Sequence, residues 1–127
     1  MKILILFFFN FISGGQIQTG PENMYFKHNV SVIAPAQEQV LNGLASELIK
    51  SGKRCTIMGH AAHSEGTAQF AMNLSKLRAE KVLAYLRLKR VPKAQLKIQS
   101  FGYSKPIGSN ATEEGRSQNR RVEFLVR

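Results

Sequence analysis

The residues with chemical reach in this sequence are two arginines, Arg78 and Arg120, and a short loop that carries His60, His63 and Glu65. A guanidinium presents a planar fork of N–H donors that matches a carboxylate bidentately, and such charge-assisted bonds are roughly twice as strong as neutral ones. The His-x-x-His spacing with Glu65 nearby suggests a metal clamp. A metal site needs three or four converging ligands, and the chain has one cysteine and no aspartate to complete one. No metal or cofactor is therefore expected. Cys55 lies beside Thr56, Ile57 and Met58 and reads as a small core residue of a strand, with no partner for a disulfide. No Ser/His/acid or Cys/His set has recognisable spacing, and Gly102 and Gly108 frame a turn rather than open a helix as a phosphate loop does. Enzymatic chemistry is not expected. Binding through charge is what remains.

The elements that position these groups follow from periodicity. Met24-Tyr25-Phe26 opens a short strand that ends near His28-Asn29, and Pro35 suits the first turn of a helix. Val40, Leu41, Leu44, Ala45, Leu48 and Ile49 recur at helical spacing until Ser51-Gly52. Arg54–Met58 reads as a strand, and a long helix runs from about Thr67 to Lys89. On that helix Gln69, Asn73, Lys76, Glu80 and Arg87 form one narrow polar stripe. Arg78 falls instead on an apolar flank with Leu74, Leu77 and Tyr85, where packing asks for no charge. The alternative for Arg78 is a surface side chain whose stem lies over Leu74. Leu96–Phe101 gives another strand, a loop follows through Gly108, and Val122, Phe124 and Val126 alternate in a last one. Arg120 shares their parity and should point to the helix side, whereas Arg121 should point away. The alternative for Arg120 is a strand-end ion pair. Strand, helix, strand, helix, strand and strand predict an α+β two-layer sandwich: a small mixed four-stranded sheet with helices on one face.

At 127 residues, 43% of them hydrophobic, the chain has room for one core and one domain. Its net charge of +10, with every acid a Glu, favours phosphates, anionic lipid headgroups or carboxylate-rich polymers as partners. Met1-Lys2, the apolar run from Ile3 and the small residues Ser13, Gly14 and Gly15 read as a secretory signal over residues 1–15. That run is too short for a membrane-spanning helix. Residues 16–23 read as a linker and residues 24–127 as the domain. A nucleic-acid binder would place aromatics on an exposed sheet face, and no such stripe is visible, so nucleic acid is not expected as a partner.

Four segments in order carry a resemblance to a known family. Tyr25-Phe26 with Val40-Leu41 and Leu44-Ala45 is similar to its opening strand and first helix. Gly59-His60 with Gly66-Thr67 is similar to its GH(T/A)DxxG loop. Leu74-Ser75-Lys76-Leu77-Arg78-Ala79 with Val82 matches LSxxRAxxV, and Phe101-Gly102-Tyr103, Pro106-Ile107, Asn110, Gly115-Arg116 and Asn119-Arg120-Arg121-Val122-Glu123 match its closing segment. From about residue 24 to residue 127 the chain resembles the OmpA-like domain family. The resemblance implies a β-α-β-α-β-β order and non-covalent binding of peptidoglycan. It further implies a periplasmic place near the outer membrane, with an Asp and an Arg holding the diaminopimelate of the stem peptide.

Two departures bear on that site. Ala62 stands where the family has its Asp, in a loop one residue longer, and Ala71 stands where it has an Asn. Asn73 cannot replace that Asn, because two helical residues turn the side chain by about 200°. Glu65 either supplies the lost carboxylate from the lengthened loop or is a solvated loop acid. The expected peptidoglycan contacts are Arg78, Arg120, Leu74 and Glu65. The rival expectation keeps the fold and loses the ligand, leaving a structural or protein-interaction module.

Overall fold

Proline at its first position and Gly52 just past its end bound the first helix, α1 (Pro35–Ser51). The Gln37 side chain turns back to accept from the Ala34 N–H, and Gly52, at φ 70°, donates its N–H to the Leu48 carbonyl. The second helix, α2 (Ala68–Leu88), is capped by the Thr67 hydroxyl, which accepts from the Phe70 N–H at 3.1 Å. Both helices bury one stripe. Leu41, Leu44, Ala45 and Leu48 of α1 meet Ala79, Val82 and Leu86 of α2 over Cys55, Ile57, Val122 and Val126 of the sheet.

This computed structural model describes residues 8–13 and 16–127, with side chains from residue 21 onward. Its strands are β1 (Phe8–Ser13), β2 (Gln16–Pro21), β3 (Met24–Tyr25), β4 (Cys55–Gly59), β5 (Leu96–Ser100) and β6 (Arg121–Val126). They form one sheet in the order β1-β2-β6-β4-β5, with β3 also paired to β6. β4 and β5 are parallel across the α2 crossover, and β4 and β6 are antiparallel with Ile57 opposite Phe124 and Gly59 opposite Val122. The mixed four-stranded core expected from periodicity is β3, β6, β4 and β5, with both helices on one face. The β1–β2 hairpin extends it along β6, where Thr19 pairs with Val126. Gln16–Pro21, in the segment read as a linker, is thus a strand; the expected signal boundary after Gly15 lies outside the described residues.

A third helix, α3 (Glu113–Asn119), stands where the sequence reading had only a loop. Its seven residues make about two turns, shorter than a periodicity argument can resolve. Its signals are the Thr112 cap, which accepts from the Gly115 N–H, and the acids Glu113 and Glu114 in its first turn.

Candidate ligand site

The ends of β4 and β5, the start of β6 and the N-termini of α1 and α2 meet at one pole of the molecule. Gly59 makes the junction possible: a Cβ on it would lie 1.9 Å from the Ser75 carbonyl oxygen, so only glycine lets β4 run this close to α2. As a result the carbonyl of His60, the next residue, reaches Arg78 on α2.

Arg78 is completely buried, and every N–H of its guanidinium has an acceptor. Nε donates to the Val30 carbonyl at 2.9 Å. Nη1 donates to the His60 carbonyl at 3.0 Å and to Glu65 Oε1 at 2.9 Å. Nη2 donates to the Lys27 carbonyl at 3.2 Å and to Glu65 Oε2 at 2.6 Å. The Phe26 ring lies 5.2 Å from the guanidinium carbon. The flank of α2 that holds Arg78 is therefore covered by residues 26–30, and the surface-side-chain alternative is excluded.

Glu65 is equally buried. Besides the bidentate bond from Arg78, its carboxylate accepts from the Ala62 N–H at 2.9 Å and from the Asn29 N–H at 2.6 Å. Burial raises the pKa of this carboxyl. The Arg78 hydrogen bond and charge, with the two backbone N–H donors, outweigh burial and hold it below the ordinary value. The lengthened loop thus brings a carboxylate to the Arg of the LSxxRA segment, and the solvated-acid alternative for Glu65 is corrected. Ala62 is also buried and presents its N–H, not its side chain, to that carboxylate.

Arg120 closes α3, immediately before β6. Its Nε donates to the Phe26 carbonyl at 2.8 Å and its Nη2 to Glu113 Oε2 at 2.9 Å. Nη1 is buried without a protein partner. The two expected arginines are therefore brought to the same short segment, one over the Phe26 ring and one on its carbonyl. Leu74, one turn before Arg78, is buried. Glu113 is exposed, and the Arg120 bond first, then the Arg120 charge and Arg116, keeps its pKa low against the smaller effect of desolvation.

On the opposite face Arg121 is buried as well, donating to Glu123, to the Asn119 carbonyl and to the Lys105 carbonyl. Glu123 also meets His60 Nε2 at 3.2 Å. The His60 bond, ahead of the opposing burial and of Arg121, lowers the Glu123 carboxyl to about 2. His63 is exposed and packs on Tyr103, with ring centroids 4.5 Å apart. His60, His63 and Glu65 are thus engaged with three different partners, Glu123, Tyr103 and Arg78, and no three such ligands converge among the described residues. Asn119 was quoted only as part of a motif, yet it organises the pole. Its side chain accepts from the Ile107 and Gly108 N–H groups and donates to the Gly108 carbonyl and to Asn110, which in turn accepts from the His63 N–H. Cys55 is a core residue, and burial pushes its thiol up to about 12.

Comparison with known proteins places these features in a family. Residues 25–120 match the model of the OmpA family. The peptidoglycan-associated lipoprotein of Pseudomonas aeruginosa is 36% identical over 100 residues, which cover 79% of this chain and 59% of that protein. The peptidoglycan-binding protein ArfA of Mycobacterium tuberculosis is 34% identical over 118 residues, covering 92% of this chain and 34% of that protein. The chain thus spans well under two thirds of the length of these relatives. Among solved structures, the peptidoglycan-associated lipoprotein of Burkholderia pseudomallei superposes with a TM-score of 0.79 at 26% identity, covering 83% of this chain and 89% of that one. With the β3-α1-β4-α2-β5-β6 core, the LSxxRA arginine and the closing Asn119-Arg120-Arg121 run all in place, the chain belongs to the OmpA family.

Proposed function

We propose that this domain binds peptidoglycan non-covalently and ties the cell envelope to the wall from the periplasmic side of the outer membrane, as a binding module without catalysis. The observation that carries this reading is the buried Glu65–Arg78 pair at the loop pole. It restores, from a different loop position, the acid and base that the family resemblance implies for diaminopimelate. One such centre presents an ammonium and a carboxylate, the same charges that Arg78 and Glu65 now present to each other. Exchange of the internal pair for two pairs with the ligand conserves charge, and Arg120 Nη1 offers a further donor. The names of the relatives, peptidoglycan-associated lipoprotein and peptidoglycan-binding protein, support the same partner. Leu74 lines the helix turn below Arg78 and belongs to the proposed contact set.

The closed geometry also favours a second reading. All donors of Arg78 and both oxygens of Glu65 are used internally, so ligand entry requires residues 27–30 to lift. If they do not, the pair is structural and the domain is a scaffold. Co-sedimentation with purified peptidoglycan at two salt concentrations separates the two. The wild type is expected to sediment at moderate salt, where diffuse attraction is screened. Arg120→Gln and Arg78→Lys are expected to bind roughly ten- to a hundredfold more weakly, the equivalent of losing one charged hydrogen bond of roughly 1.5–3 kcal/mol. Lys76→Ala, on the solvated stripe, is the unchanged control. Absence of wild-type binding at both salts rejects the wall-binding reading; binding that neither arginine variant alters rejects only this site. Export fits the same reading: intact mass of the periplasmic protein is expected to place its N-terminus near Gln16, so that β1 is removed and the mature sheet begins at β2.

A further inference from the structure

Charge is distributed unevenly between the two poles of the domain. Every Arg–Glu ion pair among the described residues lies at the loop pole, on Arg78, Arg116, Arg120 or Arg121. The other pole gathers the C-terminal ends of α1 and α2, the turn at Lys93–Gln95 and the start of β4. The Gln95 side chain holds these parts together by donating to the Leu48 and Lys53 carbonyls at 2.8 and 2.6 Å. Residues 47–54 and 87–97 contain eight lysines and arginines and one carboxylate, Glu47. All eight are exposed, and none has an acidic partner among the described residues.

Local structure does not account for so much charge. The carbonyl ends of two helices amount to roughly half a negative charge each, so about one cation would complement both. The surplus is about six charges on one end of a small domain. This end is also apolar: Leu88 is 75% exposed and Ile49 49% exposed. Between the two helix ends runs a groove of about 360 Å³ lined by Asn42, Ala45, Ser46, Ile49, Lys50 and Lys89. Lys89 is held over the Tyr85 ring at 5.5 Å, and the Tyr85 hydroxyl donates to Asn42 at 2.7 Å, so the walls of the groove are braced.

We propose that this basic end is a docking surface for anionic phospholipid, with a headgroup phosphate seated between Lys50 and Lys89 and with Leu88 and Ile49 entering the interface. Two cations beside a hydroxyl and an amide suit a phosphate diester. Exposed Leu and Ile among unpaired cations suit a membrane surface better than a purely charged polymer, which has nothing for them to enter. The surface lies opposite the loop pole, so it is independent of the wall-binding reading and leaves that pole free.

The test is co-sedimentation of the whole chain with vesicles of phosphatidylcholine alone and of phosphatidylcholine mixed with phosphatidylglycerol. The wild type is expected to bind the mixed vesicles and not the neutral ones. Lys50→Glu/Lys89→Glu is expected to weaken binding roughly tenfold or more, while Lys76→Glu/Lys81→Glu, with the same change in net charge, stays within about twofold. Leu88→Ser is expected to weaken binding about threefold with an unaltered circular dichroism melt. Equal loss in the two charge-reversal variants would show that net charge alone acts and would overturn the proposal. So would tighter binding of single-stranded DNA that is indifferent to Leu88→Ser, which would make the patch a nucleic-acid surface.

Discussion

Arg78 shows how one side chain can be read correctly in place and incompletely in consequence. Its position on an apolar flank of α2 was legible from the 100° spacing, and its burial follows from that. What the spacing could not show is the acceptor set, because Val30, Lys27 and Glu65 reach it from loops with no periodicity. The sequence alone suggests that Arg78→Ala folds and merely loses a ligand. The structure makes the residue a structural cation too. Glu65→Gln, which leaves Arg78 buried without its counter-charge, is expected to destabilise the domain by about 3–5 kcal/mol. A melting temperature lower by on the order of 10 °C in circular dichroism would register it. Ala62→Asp looks from the motif like a restoration of the family site; it would instead bury a second carboxylate beside Glu65. A lower melting temperature and no gain in wall binding are expected. The pH dependence follows from the same groups. The Glu65 and Glu123 carboxyls are held below their ordinary values, so their contribution to stability is complete above pH 4.5. It is lost as the pH falls toward about 2, the folded-state value of Glu123. Thermal melts between neutral pH and pH 2 are expected to show the decline below 4.5, and no decline there would remove these carboxylates from the stability of the fold.

Among the elements, α1, α2, β4, β5 and β6 were visible because each is amphipathic over several residues. α3 was not, since its seven residues complete no repeat and its identity rests on a cap and on close packing: a Cβ at Gly115 would lie 2.0 Å from the Ser109 carbonyl oxygen. The junction of β4 with α2 was only half visible. Gly59 was quoted as a motif residue, but its reason is the Ser75 carbonyl pressed against it. Gly59→Ala must push α2 away from β4 and is expected to lower stability by about 1–3 kcal/mol, the range of an overpacked core. Thr67→Ala, which removes only the cap on α2, is expected to cost about 1 kcal/mol. Urea denaturation of the two variants side by side gives the ranking, and a larger loss for Thr67→Ala would contradict the close approach.

For the molecule as a whole, net charge was legible as a number and illegible as a pattern. Helix ends far apart in sequence, such as Lys50 and Lys89, become neighbours only after the sheet has brought α1 and α2 together. The same assembly hides Cys55, which is buried under both helices with its thiol pushed up to about 12. Its alkylation by a thiol reagent is expected to proceed only at the rate of global opening, and rapid labelling of the native protein would exclude that burial. The strand order has one more effect. β6 is the latest of the described strands in sequence, yet it lies between β2 and β4 and also pairs with β3. Neither β2 and β3 nor the β4-α2-β5 unit can join into the one sheet until Arg121–Val126 arrives between them. A chain that emerges N-terminus first, from a ribosome or through a membrane pore, therefore holds its described strands as separate parts until β6 joins them. It closes late and all at once.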